Sequence, residues 1–178
     1  MPADIQKDLM DWDYTEYPTK HFDIIWASPP CTEYSRAKTV GTRKIEEANE
    51  VVQRTLDILE YFEPKYWILE NPQTGLLKDQ LCMYGLPFVD VDYCKYGMQY
   101  RKRTRLWNNV FYWKPRPLCI RDCSSMEEGG TRHKETAQRG PSKGAAREVN
   151  SHRQSELYVV PADLIREILE SINLRNVS

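Results

Sequence analysis

Cys31 follows two prolines directly, in the run Trp26-Ala27-Ser28-Pro29-Pro30-Cys31-Thr32-Glu33-Tyr34-Ser35. A thiol held on a stiff Pro-Pro turn can serve as a nucleophile once deprotonated. The plainer alternative is a small packing residue beside a tight loop. A carboxylate closes the apolar run in Leu69-Glu70-Asn71-Pro72, and two guanidiniums alternate in Gln99-Tyr100-Arg101-Lys102-Arg103. Planar guanidinium forks suit carbonyl and phosphate oxygens. Finally, Cys119-Ile120-Arg121-Asp122-Cys123 followed by His133 has ligand-like spacing. A Cys-x3-Cys pair also fits ordinary unmetallated thiols, and zinc at that site requires a fourth ligand, for which Cys94, Cys82 and His152 are candidates. The surrounding region is poor in apolar residues, so a metal would help it to fold.

These groups need elements to position them. Residues 22–27 read as a short buried strand, stopped by Pro29-Pro30. In residues 44–62, Ile45, Ala48, Val51, Val52, Leu56, Leu59 and Phe62 recur at helical spacing, and Pro64 closes the segment. Residues 66–69 read as a second buried strand, halted by Asn71-Pro72. Strand, crossover helix and strand in this order predict a parallel βαβ unit. Residues 88–93 and 106–113 add two more strands, and residues 161–169 form an amphipathic helix with Pro161 in its first turn. In open α/β sheets ligands gather beyond the carboxyl ends of the strands. If the first two strands are neighbours, Cys31 and Glu70 share one rim.

Pro29-Pro30-Cys31, Glu70-Asn71-Pro72 and Gln99-Tyr100-Arg101-Lys102-Arg103, in this order, resemble the cytosine-C5 DNA methyltransferases, particularly their compact viral and phage members. The resemblance runs from about Asp8 to Trp113 and resumes at Val159-Val160-Pro161. It implies a Rossmann-like methyltransferase sheet with helices on both faces, using S-adenosylmethionine on a flipped cytosine in DNA. Cys31 would add to C6 of the ring and activate C5, and Glu70 would act at N3. Arg101 and Arg103 would hold the base carbonyl, the phosphate and the nucleophile loop, and their charge would favour the thiolate. Ser35, Asn71 and Gln99 fall with the DNA-facing positions, and Asp8, Leu9, Pro29 and Val160 with the cofactor. Asp4 and Asp11 are alternative registers for Asp8. A rival resemblance, to the amino-methyltransferases of adenine N6 or cytosine N4, expects an aromatic residue where Cys31 stands.

Two departures matter. The family opens with a glycine-rich loop for the methionine end of the cofactor and an acid for its ribose, yet no glycine precedes Gly41 here. The sheet is therefore expected to be truncated at its N-terminal side. A second polypeptide or a second copy would complete the pocket, or the chain would be a non-catalytic DNA-binding remnant or regulatory subunit. The usual long target-recognition domain is also reduced, which points to a short or loosely read target.

Residues 1–113 are thus expected to form the catalytic core, 114–154 a small irregular basic subdomain, and 155–178 the last motif and helix. The 178-residue chain has a net charge of −1, but residues 114–153 carry nine Lys/Arg against five Asp/Glu. Such a basic segment on an acidic body suits polyanion contact, with Arg132, Lys134 and Arg139 as candidates. No apolar run is long enough for a membrane span, and the acidic start lacks secretory features. Five cysteines, an odd number, fit reduced thiols and an intracellular location better than a disulfide framework.

Overall fold

The computed structural model describes residues 5–139, 151–152 and 156–173. Strands β1 (Ile24–Ala27), β2 (Tyr66–Pro72), β3 (Phe88–Asp92) and β4 (Arg103–Asn108) form one mixed sheet in the order β1-β2-β4-β3. Two short strands, β5 (Thr136–Arg139) and β6 (Ser151–His152), pair in parallel. The helices are α1 (Ile45–Phe62) and α2 (Ala162–Asn173), joined by single turns of 3₁₀ helix elsewhere. This is the α/β class that the alternation of elements predicts. The chain divides into two compact units, Met1–Phe88 with Leu106–Asn109, and Val89–Arg105 with Val110–Ser178.

In the first unit β1 and β2 are parallel, registered from Ile24↔Tyr66 to Ala27↔Leu69, with α1 as the crossover between them. Helix α1 forms because its apolar residues repeat on one face, and it buries Val52, Thr55, Ile58, Leu59 and Phe62. Its end is set by Pro64, which disfavours helical geometry at the residue before it. Glu63 accordingly turns left-handed at φ 42° and returns its N–H to the Leu59 carbonyl at 3.0 Å. Val52 packs with Tyr34, Leu69, Leu77, Met83 and Trp107 in a continuous buried cluster. Burying one such aliphatic side chain is worth about 1.5–3 kcal/mol.

Strand β1 starts at Ile24 rather than residue 22 and β3 ends at Asp92 rather than residue 93, and two other strands differ more from the sequence reading. Strand β2 does not stop at Leu69 but runs to Pro72, and Pro72 is tolerated because it is the last residue of the strand. Strand β4 starts at Arg103 rather than at residue 106, and it ends at Asn108 rather than at residue 113. Charged residues can occupy its first half because Arg103 pairs with Asp92 and Arg105 with Asp90. Those pairs step in opposite directions along the two strands, so β3 and β4 run antiparallel. Beyond the strand, Trp113 closes a tight turn onto the Val110 carbonyl at 3.2 Å.

In the second unit α2 buries Leu164, Ile168 and Ile172, one stripe at helical spacing. It lies against the turn Tyr93–Tyr96 that follows β3. Gly97 ends that turn at φ 95°, a conformation glycine adopts without steric cost. Arg116 ties the following segment down. Its guanidinium reaches the Lys95 carbonyl (2.6 Å) and Glu167 (2.9 Å), and it lies over the Tyr96 ring.

Candidate functional site

The parallel register of β1 and β2 brings two of the chemically interesting segments to one rim. Ala27 pairs with Leu69, so Pro29-Pro30-Cys31 and Glu70-Asn71 both leave the carboxyl ends of adjacent strands. Asn71 fastens them together. It is buried, and its Nδ2 donates to the Pro29 carbonyl at 2.9 Å. Its Oδ1 is also buried and has no hydrogen-bond partner among the described residues, a deficit that native structures keep rare. Glu70 is only 6% exposed. Cys31 is half-buried and Pro29 buried, so the turn presents the thiol from a fixed backbone.

The loop beyond Cys31 is held by residues that its sequence pattern does not advertise. Glu33 accepts from Lys38 Nζ (2.6 Å) and from the Lys44 N–H (2.8 Å). The Lys38 hydrogen bond, followed by that of the Lys44 N–H, lowers its pKa below the usual carboxylate value. Arg43 donates to three carbonyls of the same loop, those of Glu33 (3.0 Å), Ser35 (2.6 Å) and Lys38 (3.0 Å). Tyr34 is fully buried and donates to Asn49 Oδ1 at 2.8 Å, and Asn49 in turn donates to Gln80 at 3.0 Å. Leu76 N–H closes the ring onto the Tyr34 carbonyl at 2.9 Å. Gly75 permits this approach, because a Cβ there would sit 3.1 Å from the Pro72 carbonyl and 3.4 Å from that of Tyr34. Ser35 lies in this loop, half-buried, and its Oγ accepts from the Ala37 N–H at 3.3 Å.

Gln99, Arg101 and Arg103 belong to the second unit. Gln99 and Arg101 are exposed, and the Gln99 carbonyl accepts from the Glu135 N–H at 3.2 Å. Arg103 is gripped as a fork by Asp92, Nε at 3.1 Å and Nη2 at 2.8 Å, with the Asp92 carboxylate fully buried. A bidentate pair of this kind fixes the plane of the guanidinium.

Also in this unit, Cys94, Cys119, Cys123 and His133 converge, with their ligand atoms all within 4.8 Å of one another. His133 Nε2 lies 3.5 Å from Cys119 Sγ and 3.4 Å from Cys123 Sγ. Of the three fourth-ligand candidates, Cys94 is the one in the cluster. Cys82 belongs to the first unit, and the His152 side chain lies outside the described residues. Burial, and then its bond with Cys119, pushes the Cys94 thiol well up. Burial also opposes ionisation of Cys119, but the Arg121 N–H and the neighbouring thiols outweigh it and bring that thiol down.

The remaining expected positions are more scattered. Asp8 is exposed and Leu9 half-buried, and the Asp8 carboxylate caps the Met10 N–H at 2.9 Å. This N-terminal segment is anchored by Arg54, which donates to the Trp12 carbonyl at 2.8 Å and lies over the Tyr14 ring. Val160 is half-buried ahead of α2. Arg132 and Lys134 are exposed, while Asp4 and the Arg139 side chain lie outside the described residues.

A parallel βαβ unit with a thiol loop and a buried carboxylate on one rim, within a mixed sheet, fits a methyltransferase of the α/β class. Residues 2–81 match the family model for C-5 cytosine-specific DNA methylase, a span that includes Cys31, Glu70 and Asn71. The chain is also 34% identical over 187 residues to a probable DNA (cytosine-5)-methyltransferase of Frog virus 3 (isolate Goorha). That similarity covers 94% of this chain and 84% of the relative. The chain belongs to the C-5 cytosine-specific DNA methylase family. Among the described residues no helix is long and apolar enough to cross a membrane.

Proposed function

We propose that the protein is a DNA (cytosine-5-)-methyltransferase acting inside a cell, with Cys31 as nucleophile. The observation that carries this reading is the Asn71–Pro29 tie, which holds the Pro-Cys turn and buried Glu70 on one rim of parallel strands. The Cys31 thiolate forms a bond to C6 of a flipped cytosine, while Glu70 donates a proton to N3. The ring becomes an enamine with electron density at C5. S-adenosylmethionine, when bound, supplies the methyl group that C5 takes up. A base then removes the C5 proton, the C6–S bond breaks, the thiolate returns to Cys31, and N3 gives its proton back to Glu70. Arg101 is the candidate donor to the base carbonyl or phosphate, with Arg103 positioned beside it by Asp92. DNA is the partner, with Ser35, Asn71 and Gln99 near the base and Arg132, Lys134 and Arg139 on phosphates.

The donor set for the cofactor is uneven. The adenine side has an exposed carboxylate in Asp8 beside Leu9, and the family resemblance assigns Pro29 and Val160 to the cofactor as well. The methionine side needs a glycine turn against which the cofactor can pack, and Gly41, at φ 78°, has no neighbouring atoms within 4 Å of its Cβ direction. That observation favours a second reading, a DNA-binding member that cannot hold the cofactor alone. A titration with S-adenosylmethionine, paired with transfer of its labelled methyl group to DNA, separates the two. Under the enzyme reading Glu70→Gln slows transfer by about 10²–10⁴-fold. Methyl transfer unaffected by Glu70→Gln contradicts the mechanism, and absence of cofactor binding selects the second reading.

A further inference from the structure

Residues 114–135 hold few large apolar side chains, yet Cys119, Cys123 and His133 of this segment converge with Cys94. We propose that Cys94, Cys119, Cys123 and His133 bind one zinc ion, which pins this segment to the β3–β4 hairpin and, through Asp92, holds Arg103 in place.

The spacing of the ligand atoms suits a tetrahedral site. Zinc–sulfur bonds of about 2.3 Å and zinc–nitrogen bonds of about 2.0–2.1 Å give sulfur–nitrogen edges near 3.5 Å in a tetrahedron. The two edges to His133 Nε2 measure 3.4 and 3.5 Å, and the whole set falls within 4.8 Å. Four protein ligands leave no open position, which marks a structural rather than a catalytic zinc. None of the three ligand sulfurs, those of Cys94, Cys119 and Cys123, is committed to a disulfide.

The surroundings are built as a zinc knuckle needs. Arg121 takes a left-handed φ of 73°, which turns Ile120-Arg121-Asp122 tightly enough for Cys119 and Cys123 to face one point. The same turn directs the Arg121 N–H at Cys119 Sγ, 3.4 Å away, a contact that stabilises thiolate. Asp122 secures the turn by accepting from the Ile120 N–H at 3.2 Å and from Lys95 Nζ at 2.7 Å. His133 arrives on the far arm of a small hairpin, bridged antiparallel to Met126, with Gly129 and Gly130 at positive φ in its tip. Outer-shell contacts of this kind orient ligands before the ion arrives.

Binding is an acid–base event without redox change. The divalent ion displaces the protons of three thiols, takes a lone pair from neutral imidazole, and leaves a centre of net charge −1. Lys95 and Arg121 lie beside it to offset that charge. The link to Arg103 runs through one buried carboxylate. Asp92 Oδ2 accepts both the Cys119 N–H at 2.9 Å and Arg103 Nη2 at 2.8 Å. Whatever fixes Cys119 therefore fixes Asp92, and with it the guanidinium. The positioning role rests on the methyltransferase reading, whereas the zinc site does not.

The test begins with the full chain purified in zinc-supplemented buffer, dialysed free of excess metal, and analysed for its metal content. About one tightly held zinc per chain is expected, with X-ray absorption fitting three sulfurs and one nitrogen. Cobalt(II) exchanged into the site should give intense tetrahedral thiolate bands. Cys119→Ser and His133→Ala should each lower metal retention at least tenfold, with Cys82→Ser without effect. Removing the ion with a chelator should speed amide exchange in residues 114–135 and in the Asp92–Arg103 hairpin by tenfold or more, while β1 and β2 keep their protection. Wild-type chain with reduced thiols and no bound zinc overturns the proposal, as does a shell of four sulfurs or of oxygen and nitrogen alone. Unchanged exchange at Asp92 and Arg103 after complete metal loss overturns the positioning role while leaving both the zinc site and the methyltransferase reading standing.

Discussion

Asn71 shows how much a single side chain contributes to this site. One amide joins the two motifs, and truncating it removes the Nδ2 donor from the Pro29 carbonyl. A buried unsatisfied carbonyl costs about 1–3 kcal/mol. Asn71→Ala should thus lower Tm by roughly 3–10 °C for a chain of this size and cut methyl transfer by more than tenfold. Asn71→Asp should do much the same, because a carboxylate cannot donate to a carbonyl. Thermal melts and initial rates check this, and wild-type values for both variants would show that the tie is dispensable. The residue types of the motifs were readable without coordinates, since Pro-Cys, Glu-Asn and the paired arginines appear in order. Their supporting partners were not. Glu33, Arg43, Asn49 and Gln80 are ordinary polar residues whose partners reach them only through the fold, and no local spacing announces those contacts.

The βαβ unit was legible because two strong physical signals coincide, apolar residues at helical spacing in α1 and short β-rich runs on either side. The start of β4 was not, because Arg103 and Arg105 look unsuited to a strand until Asp92 and Asp90 stand opposite them. The loop that begins at Cys31, residues 31–43, lacks regular structure and depends on its polar ties. Glu33 is the hub, and its pKa is depressed by the Lys38 and Lys44 bonds. A depressed carboxylate stabilises the fold fully above its unfolded value, which is near 4.5, and the contribution fades as pH falls through the lower folded value. Amide exchange in the loop should accordingly stay slow from neutral pH down to about 5, once corrected for intrinsic rates, and quicken below that. Glu33→Gln should show the quickened exchange already at neutral pH. Equal protection in the variant and the parent would remove Glu33 from its place as the hub.

Across the whole molecule, charge is spread unevenly, with a basic stretch at residues 114–153 on a body of net negative charge. Arg132 and Lys134 are exposed there. DNA affinity should fall steeply with salt, and the slope of log K against log salt should flatten by about one for each phosphate contact removed by Arg132→Glu or Lys134→Glu. A slope indifferent to both changes would mean that this surface faces only water. The proposed chemistry, however, depends on Cys31. DNA bearing 5-azacytosine offers a C6 that accepts a thiolate without waiting for methyl transfer, so it probes the nucleophile separately from cofactor binding. Incubation of the protein with that DNA, followed by denaturing electrophoresis and peptide mass mapping, should give one covalent adduct carried by Cys31 and lost in Cys31→Ser. An adduct on another cysteine, or one undiminished in Cys31→Ser, would contradict the mechanism.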